Sequence, residues 1–160
     1  GPRAMGTPYP AEIVAHRDRI FFIFEGGGHV WREVYMDGRE HPPLDEIRPT
    51  YFGHSIGHWE GNTLVVETTN FNAQHTFRAG LRHFFAITSG AIVTERFTRV
   101  SKDQILYRFY VDDPDIYSQV WAGEMPLRSV EGKIYEYACH EGNYSMANIL
   151  AGAREEEKRR

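Results

Sequence analysis

The sequence predicts an all-β fold, an antiparallel up-and-down β-barrel with one α-helix at its C-terminal end. Short strand-forming runs broken by turn signals follow one another at fairly even spacing from Tyr9 onward, which is typical of a barrel or a sandwich. Three of the turns join neighbouring runs as hairpins. A convincing helical spacing of apolar residues occurs near the C-terminus. Consecutive hairpins favour a calycin- or lipocalin-like barrel, which has no sheet edges, and a β-sandwich is the alternative.

Length, charge and cysteine content narrow the class of protein. At 160 residues the chain is predicted to be one domain, residues 7–160, large enough to fold without a disulfide or a metal. Its single cysteine, Cys139, excludes an internal disulfide. A formal net charge of −4 gives no basic surface for nucleic acid, and no apolar run is long enough to span a membrane. Residues 1–6, GPRAMG, are typical of an expression remnant.

The best-defined element is a hairpin over Phe52–Asn72, with Gly61-Asn62 as its two-residue turn. In this register Ile56 pairs with Glu67, and side chains alternate between two faces. The face expected in the core carries Ser55, Gly57, Trp59, Leu64, Val66 and Thr68. The opposite face, either solvated or the polar wall of a pocket, carries His54, Ile56, His58, Val65, Glu67 and Thr69.

A second hairpin is expected over Ile92–Asp112 about Lys102-Asp103, with Thr98 opposite Tyr107. This register puts three charged residues on the outer face as a surface ion-pair lattice: Glu95, Arg99 and Arg108. Residues 41–49 contain three prolines and are expected to form a loop, and residues 73–89 are the least regular part of the chain.

A third hairpin is expected over Ser118–His140 about Glu131-Gly132, followed by a helix at about 142–158. The apolar stripe of that helix is expected to dock on the barrel, and it comprises Met146, Ile149, Leu150 and Ala153.

The third hairpin supplies the first candidate for catalysis. One of its faces is mostly apolar and includes His140, so this imidazole is expected to point inward, with open space beside Gly123 on the opposite strand. A buried imidazole near a carboxylate such as Glu136 can act as a general acid or base near neutral pH. The alternative is a structural histidine that hydrogen-bonds to a backbone carbonyl or to Glu136.

The polar face of the central hairpin supplies the second candidate. Glu67 lies diagonal to His54 and His58, at a separation that long side chains bridge, and such a pairing would raise a histidine pKa. The alternative is a solvated face. No metal is expected, because the two histidines lie about 13 Å apart along one strand and no HExxH or cysteine cluster is present. A site that joins distant strands, such as His54 with His140, is the alternative.

Four strings of the chain resemble those of a large family of bacterial proteins with no assigned activity. The strings are GHSIGHWEGNTLVVETTNFN, TERFTRV, VDDP and YEYACHEGNYSMANILAGAREEEK, and the similarity covers roughly residues 20–158. Many members of that family are exported, so the resemblance implies a periplasmic or secreted location. Without the resemblance, the cytoplasm is expected. The resemblance implies no catalytic residue.

These observations predict a small-molecule-binding barrel that works as an enzyme without a cofactor. The expected chemistry is acid–base catalysis on an apolar or aromatic molecule, by a lyase, isomerase, cyclase or hydrolase. His140 is the expected general acid or base, and His54 and Glu67 orient or polarise the substrate. The expected substrate-binding residues are Trp121, Tyr107, Phe109, Tyr137 and His58. A ligand carrier without turnover and an exported interaction domain are the alternatives, and homodimerisation is left open.

Overall fold

One eight-stranded, mostly antiparallel sheet curls into a half-barrel, and one helix lies at the C-terminal end. The structure is a computed structural model that describes residues 2–26, 30–72, 76–78, 84–136 and 144–159. The elements in chain order are α1 (Pro2–Met5), β1 (Ala11–His16), β2 (Arg19–Phe24), β3 (Val30–Tyr35), β4 (His54–Glu60), β5 (Thr63–Thr69), β6 (Thr76–Arg78), β7 (Phe84–Ala86), β8 (Ile92–Arg99), β9 (Gln104–Asp112), β10 (Trp121–Arg128) and α2 (Ser145–Glu157). The prediction of an all-β, barrel-like fold is confirmed.

The strand order in the large sheet is β1-β2-β3-β4-β5-β8-β9-β10, and β6 pairs separately with β7. Neighbouring strands are antiparallel except β3 and β4, which meet in parallel at Tyr35 and Ile56. The long connection over residues 36–53 carries the chain back before β4 starts, as a parallel pair requires. The expected up-and-down order therefore breaks once. Among the described residues, β1 and β10 end the sheet as edges and do not pair to close a barrel.

Alternate residues of the strands point into one hydrophobic core, as the two-residue period of a strand requires. Phe22, Val34, Val66, Val93 and Tyr107 expose 1% or less of their surface. Burying a large apolar side chain of this kind stabilises the fold by about 1.5–3 kcal/mol. This inner face holds the curled sheet together, and the outer face is free to carry polar side chains.

The central hairpin, β4–β5, has the predicted turn and register. Gly61 has a φ of 60°, which glycine adopts without strain, and Ile56 pairs with Glu67 as expected. Four members of the predicted core face are buried: Ser55, Leu64, Val66 and Thr68. Trp59 is an exception with 60% of its surface exposed, because β3 meets β4 at Ile56 and the end of β4 extends beyond that contact.

The second hairpin, β8–β9, is shifted by one residue from the predicted register. Thr98 lies opposite Leu106 and not opposite Tyr107. The turn is longer than the expected two residues, since the Val100 N–H donates to the Gln104 carbonyl and leaves residues 101–103 between them. A shift of one residue turns every side chain of one strand to the other face of the sheet.

The consequence of this shift is that Glu95 points into the core and is fully buried. The predicted surface ion-pair lattice is therefore wrong. Arg108 pairs with Glu124 of β10 on the outer face, and a guanidinium nitrogen of Arg99 donates to the Lys102 carbonyl.

The third hairpin does not form as predicted in the described residues. The short connection after β9 returns β10 onto the free edge of β9, so Gly123 lies opposite Phe109. A Cβ atom built on Gly123 would lie 2.5 Å from the Phe109 Cζ, so the expected open space beside Gly123 is filled by this ring. Residues 129–136 contain no strand, and the remainder of the predicted partner strand, including Tyr137 and His140, lies outside the described residues.

Helix α2 occupies the predicted part of the chain but does not dock as predicted. None of its described residues is buried, and Met146, Ile149 and Leu150 are all exposed. These three are the large apolar side chains in a helix of thirteen residues, which is little apolar surface to drive docking.

Candidate functional site

Two histidines and a glutamate meet on the outer face of the sheet. His54 comes from the start of β4, Glu67 from β5, and His41 from the connection after β3. The Nδ1 atoms of the two histidines lie 2.9 Å apart, within hydrogen-bonding distance. His41 Nε2 lies 3.4 Å from Glu67 Oε1. His41 therefore lies between the carboxylate and the second imidazole, with hydrogen-bonding distance to His54 and a longer electrostatic contact to Glu67 that does not meet hydrogen-bond geometry.

The sequence places these groups by two different routes. His54 and Glu67 point outward because they alternate with buried Ser55 and Thr68 along their strands. His41 reaches them because the chain turns sharply just after β3, where Gly38 has a φ of 77°.

The same turn brings Arg39 over the ring of Tyr35, with 3.8 Å from Cζ to the ring centroid. Arg39 also pairs with Asp37, and its hydrogen bonds lower the pKa of that carboxyl to about 2. Tyr35 in turn stacks on His54, with ring centroids 5.1 Å apart and planes 24° apart. Tyr35 therefore packs the His54 ring, and the turn that packs on Tyr35 also presents His41.

The contact between the two Nδ1 atoms restricts where the protons lie. One Nδ1 must donate and the other must accept, so the two rings cannot both be protonated there. The Glu67 carboxylate favours an N–H on the facing His41 Nε2, which leaves His41 Nδ1 as the acceptor. His54 then donates from Nδ1, and its Nε2 carries a lone pair. The structure records no partner for this Nε2 atom among the described residues.

Burial sets the charge of the pair. Burial lowers the pKa of His41, and the nearby Glu67 carboxylate offsets part of that effect. Burial also lowers the pKa of His54, and the charges of His41 and Arg39 lower it further. Both imidazoles are neutral at pH 7, since an unperturbed histidine already titrates near pH 6.5. A neutral imidazole with a free ring nitrogen can accept a proton from a bound molecule.

The structure changes the predicted pairing in this region. Glu67 contacts His41 and not His54 or His58, so the expected diagonal pairs are wrong. The expected rise of a histidine pKa is also wrong, because burial outweighs the carboxylate. His58 is exposed and lies 3.2 Å from Glu60 at the far end of β4, away from the cluster. No strand or helix period marks His41, and the nearest sequence signal is the turn-forming pair Asp37-Gly38, which does not predict where the His41 side chain lies.

The predicted substrate-binding residues lie mainly in the core. Tyr107 has none of its surface exposed, so it cannot line a cavity that admits water, and its prediction as a pocket wall is wrong. Phe109 packs in the same core over Gly123. Trp121 is partly buried and meets the Phe109 ring edge-on, with centroids 5.5 Å apart. The roles predicted for His140 and Tyr137 fall outside the described residues and stay predictions.

A second polar cluster lies inside the core and was missed by sequence reasoning. Arg32 of β3 and Glu95 of β8 form an ion pair, 2.5 Å from Nη2 to Oε2, and neither side chain is more than 1% exposed. Arg32 also donates to Ser55 Oγ at 3.1 Å and to Thr68 Oγ1 at 2.7 Å. The Tyr107 hydroxyl donates to Glu95 at 2.6 Å. These contacts tie β3, β4, β5, β8 and β9 together across the interior.

Contacts within this cluster determine the protonation states of Glu95 and Tyr107. Burial raises the pKa of Glu95, but the Arg32 guanidinium and the hydrogen bonds from Arg32 and Tyr107 outweigh burial and hold it below its usual range. Burial and then the Glu95 carboxylate raise the pKa of Tyr107 far above its usual value. Glu95 is therefore ionised and Tyr107 protonated at neutral pH, and a fully buried group has no route to a substrate.

Metal and membrane features are limited in the described part of the chain. Within it, no group of three or more His, Cys, Asp or Glu side chains is placed to hold a metal ion, and the prediction that the protein binds no metal stays a prediction. Neither described helix has the length and hydropathy needed to cross a membrane.

Comparison of the chain with protein-family models, with curated proteins and with solved structures found no match.

Proposed function

We propose that this protein is an enzyme of proton-transfer chemistry, of the lyase or isomerase type, that uses no cofactor and acts on a small organic molecule. The observation that carries the proposal is the chain of contacts from Glu67 through His41 to His54. A carboxylate that orients an imidazole, which in turn orients the reacting group, is a recurring arrangement in acid–base catalysis.

His54 is the general base in this proposal. Its Nε2 takes a proton from a carbon acid of the substrate, while Nδ1–H stays bonded to His41. The positive charge that forms on His54 is stabilised by His41 and, through it, by the Glu67 carboxylate. The same proton then returns to another substrate atom in an isomerisation, or to a departing group in an elimination.

The aromatic character predicted for the substrate has a natural contact beside His54. The ring of Tyr35 is partly exposed and already stacks on that imidazole. Because His54 and Arg39 both lie over the Tyr35 ring, a planar substrate meets the edge of this ring, and an edge-to-face contact of this kind contributes about 0.5–1.5 kcal/mol. The charge of Arg39, which lies over the Tyr35 ring, is balanced by its ion pair with Asp37, so an anionic group on the substrate is not required.

The experiment that tests the proposal needs no knowledge of the complete reaction. Carbonyl compounds with acidic C–H bonds are incubated with the protein in D2O, and deuterium incorporation is followed by proton NMR. Wild type should exchange at least one compound, and His54→Gln should slow that exchange about 10²–10⁴-fold. His58→Gln, an exposed histidine on the same strand, is the matched control and should exchange like wild type. Undiminished exchange by a folded His54→Gln protein contradicts the proposal.

A second candidate is ligand binding without turnover, and the cleft described in the next subsection favours it. A screen that finds bound ligands but no deuterium exchange with any of them would select this candidate. An exported, periplasmic or secreted location is also proposed, and it rests on the family resemblance of the sequence.

A further inference from the structure

A cleft of about 520 Å³ lies where the half-barrel does not close. Residues of both edge strands line it, including Ile13 of β1 and Leu127 of β10, and the connection between β8 and β9 forms one end. The volume is within the range of small-molecule sites. His54 is not among the lining residues, so this cleft is separate from the site of the proposed proton transfer.

One side of the cleft is apolar and continuous with the core. Ile105, Met125 and Leu127 are partly buried, pack against the core residues, and also line the cleft. On the opposite edge Ile13 is 40% exposed. When a ligand covers apolar surface that water could reach, binding becomes more favourable by about 25 cal/mol for each Å² removed from water.

The end of the cleft at the β8–β9 connection is cationic. Arg99, Lys102 and Arg128 line it together with one carboxylate, Asp103. The Ser101 hydroxyl donates to Asp103 at 2.6 Å and, with the charge of Arg128 as a smaller cause, holds the pKa of that carboxyl below its usual range. Among the described residues, Lys102 and Arg128 form no salt bridge, so two positive charges remain available.

We infer that this cleft binds an amphipathic anion, a molecule with an apolar body and a single carboxylate or similar anionic group at one end. The body lies against Ile105, Met125 and Leu127, and the anionic group lies between Lys102 and Arg128. The inference does not rest on the proposed proton transfer, because the two sites share no residue.

The N-terminal residues provide an internal check on this inference. Ala4 and Met5, within the expected expression remnant, line the cleft and pack against the core. The cationic end and the apolar side come from β9, β10, the last residue of β8 and the β8–β9 connection, so a protein that starts at Thr7 should keep the site. If removal of residues 1–6 abolishes binding, the cleft belongs to the remnant and the inference is wrong.

The first experiment compares decanoate with 1-decanol by isothermal titration calorimetry, because the two differ in charge and share the same chain. Decanoate should bind at least about tenfold tighter, and added salt should weaken decanoate binding alone. The Lys102→Gln/Arg128→Gln protein should bind decanoate as weakly as decanol. Arg108→Gln is the matched control, since Arg108 lies outside the cleft and pairs with Glu124. Equal binding of the two compounds, no binding of either, or wild-type decanoate binding by the double variant would each overturn the inference.

The second experiment tests the apolar wall with two isoleucines of equal exposure. Ile13 lines the cleft and Ile92 does not, and each is 40% exposed, so substitution of either by glutamine should leave the fold intact. Ile13→Gln should weaken decanoate binding several-fold, and Ile92→Gln should leave it unchanged. The same effect from both substitutions would mean that decanoate binds elsewhere on the surface.

Discussion

The inner and outer polar clusters described above use similar residues in opposite settings. In the interior, Glu95 meets Arg32 and a tyrosine hydroxyl with almost no surface exposed. On the outer face, Glu67 meets a histidine at 3.4 Å, and about half of its side chain is exposed. The interior contacts are short, fully paired in charge and remote from solvent, which suits a structural role. The carboxylate contact of the outer cluster is longer and partly exposed to solvent, which is what a cluster that exchanges protons with a substrate needs.

The largest difference between the clusters should appear when each glutamate is changed to glutamine. Glu95→Gln leaves the Arg32 charge buried and uncompensated, and we expect a loss of about 3–5 kcal/mol in the free energy of unfolding. Glu67→Gln, at a half-exposed contact, should cost less than about 0.5 kcal/mol. Urea denaturation measures both.

A further variant separates lost pairing from lost packing in the interior. Replacing both partners, as in Arg32→Met/Glu95→Leu, should restore much of the stability, since an apolar pair removes the unpaired charge. Comparable losses for Glu95→Gln and Glu67→Gln would contradict the division of the clusters into structural and functional.

Two tyrosines test the same difference between the interior and outer clusters, with smaller expected losses of stability. Tyr107→Phe removes the donor to Glu95 and leaves a buried carboxylate oxygen without it, which should cost about 1–3 kcal/mol. Tyr35→Phe keeps the stack on His54 and removes only a partly exposed hydroxyl, so it should cost about 0.5 kcal/mol or less. Thermal unfolding at one pH measures both, and equal shifts in Tm would break the comparison.

The outer cluster, unlike the interior one, should make stability depend on pH between 5 and 7. The pKa values of His41 and His54 are lowered by folding, so below about pH 6.5 the unfolded chain binds more protons than the native one. Their contribution is complete above that pH and is lost as the pH falls through the lowered values. Urea denaturation at pH 7.5 and pH 5.5 should show this loss, and His41→Asn/His54→Asn should reduce it. An unchanged loss in the double variant would show that other groups cause it.

The smallest effect is expected at Leu150, which belongs to neither cluster. Leu150 is exposed on α2, so Leu150→Ala should change the unfolding free energy by less than about 0.5 kcal/mol. A docked helix would lose about 2–5 kcal/mol from the same substitution. A loss of that size would show that α2 packs against a partner surface in solution.

Sequence reasoning succeeded where structure is local. Gly61-Asn62 defines a two-residue turn, and that turn fixed the pairing of Ile56 with Glu67 and the outward direction of His54. The failures concern properties that depend on distant segments. One extra residue in the β8–β9 turn moved Glu95 from the surface to the core, and the signal in β8 that could have shown this is its alternation with the apolar residues Val93 and Phe97. Its partner Arg32 comes from a strand far away in the chain.

The candidate site divides in the same way. His54 and Glu67 were predicted because strand alternation puts them on one face. His41 was missed because it lies in a connection without period, and its position depends on how that connection folds back over β4. The docking of α2 was predicted from a stripe of apolar residues. Such a stripe shows which side chains a helix can bury, but the sequence of the helix does not show whether another part of the fold offers an apolar surface for it to pack against.

Strand β10, one of the two edge strands that border the cleft, carries Pro126 in its middle, paired with Leu106 of β9. Proline has no backbone N–H, so this edge offers an incomplete ladder to any extended chain that approaches it. Free sheet edges are sites where proteins join edge to edge and aggregate, and one missing rung weakens such a template. The molecule thus leaves its sheet unclosed, with space between the first and last strands, while Pro126 makes the β10 edge a poorer template for a further strand.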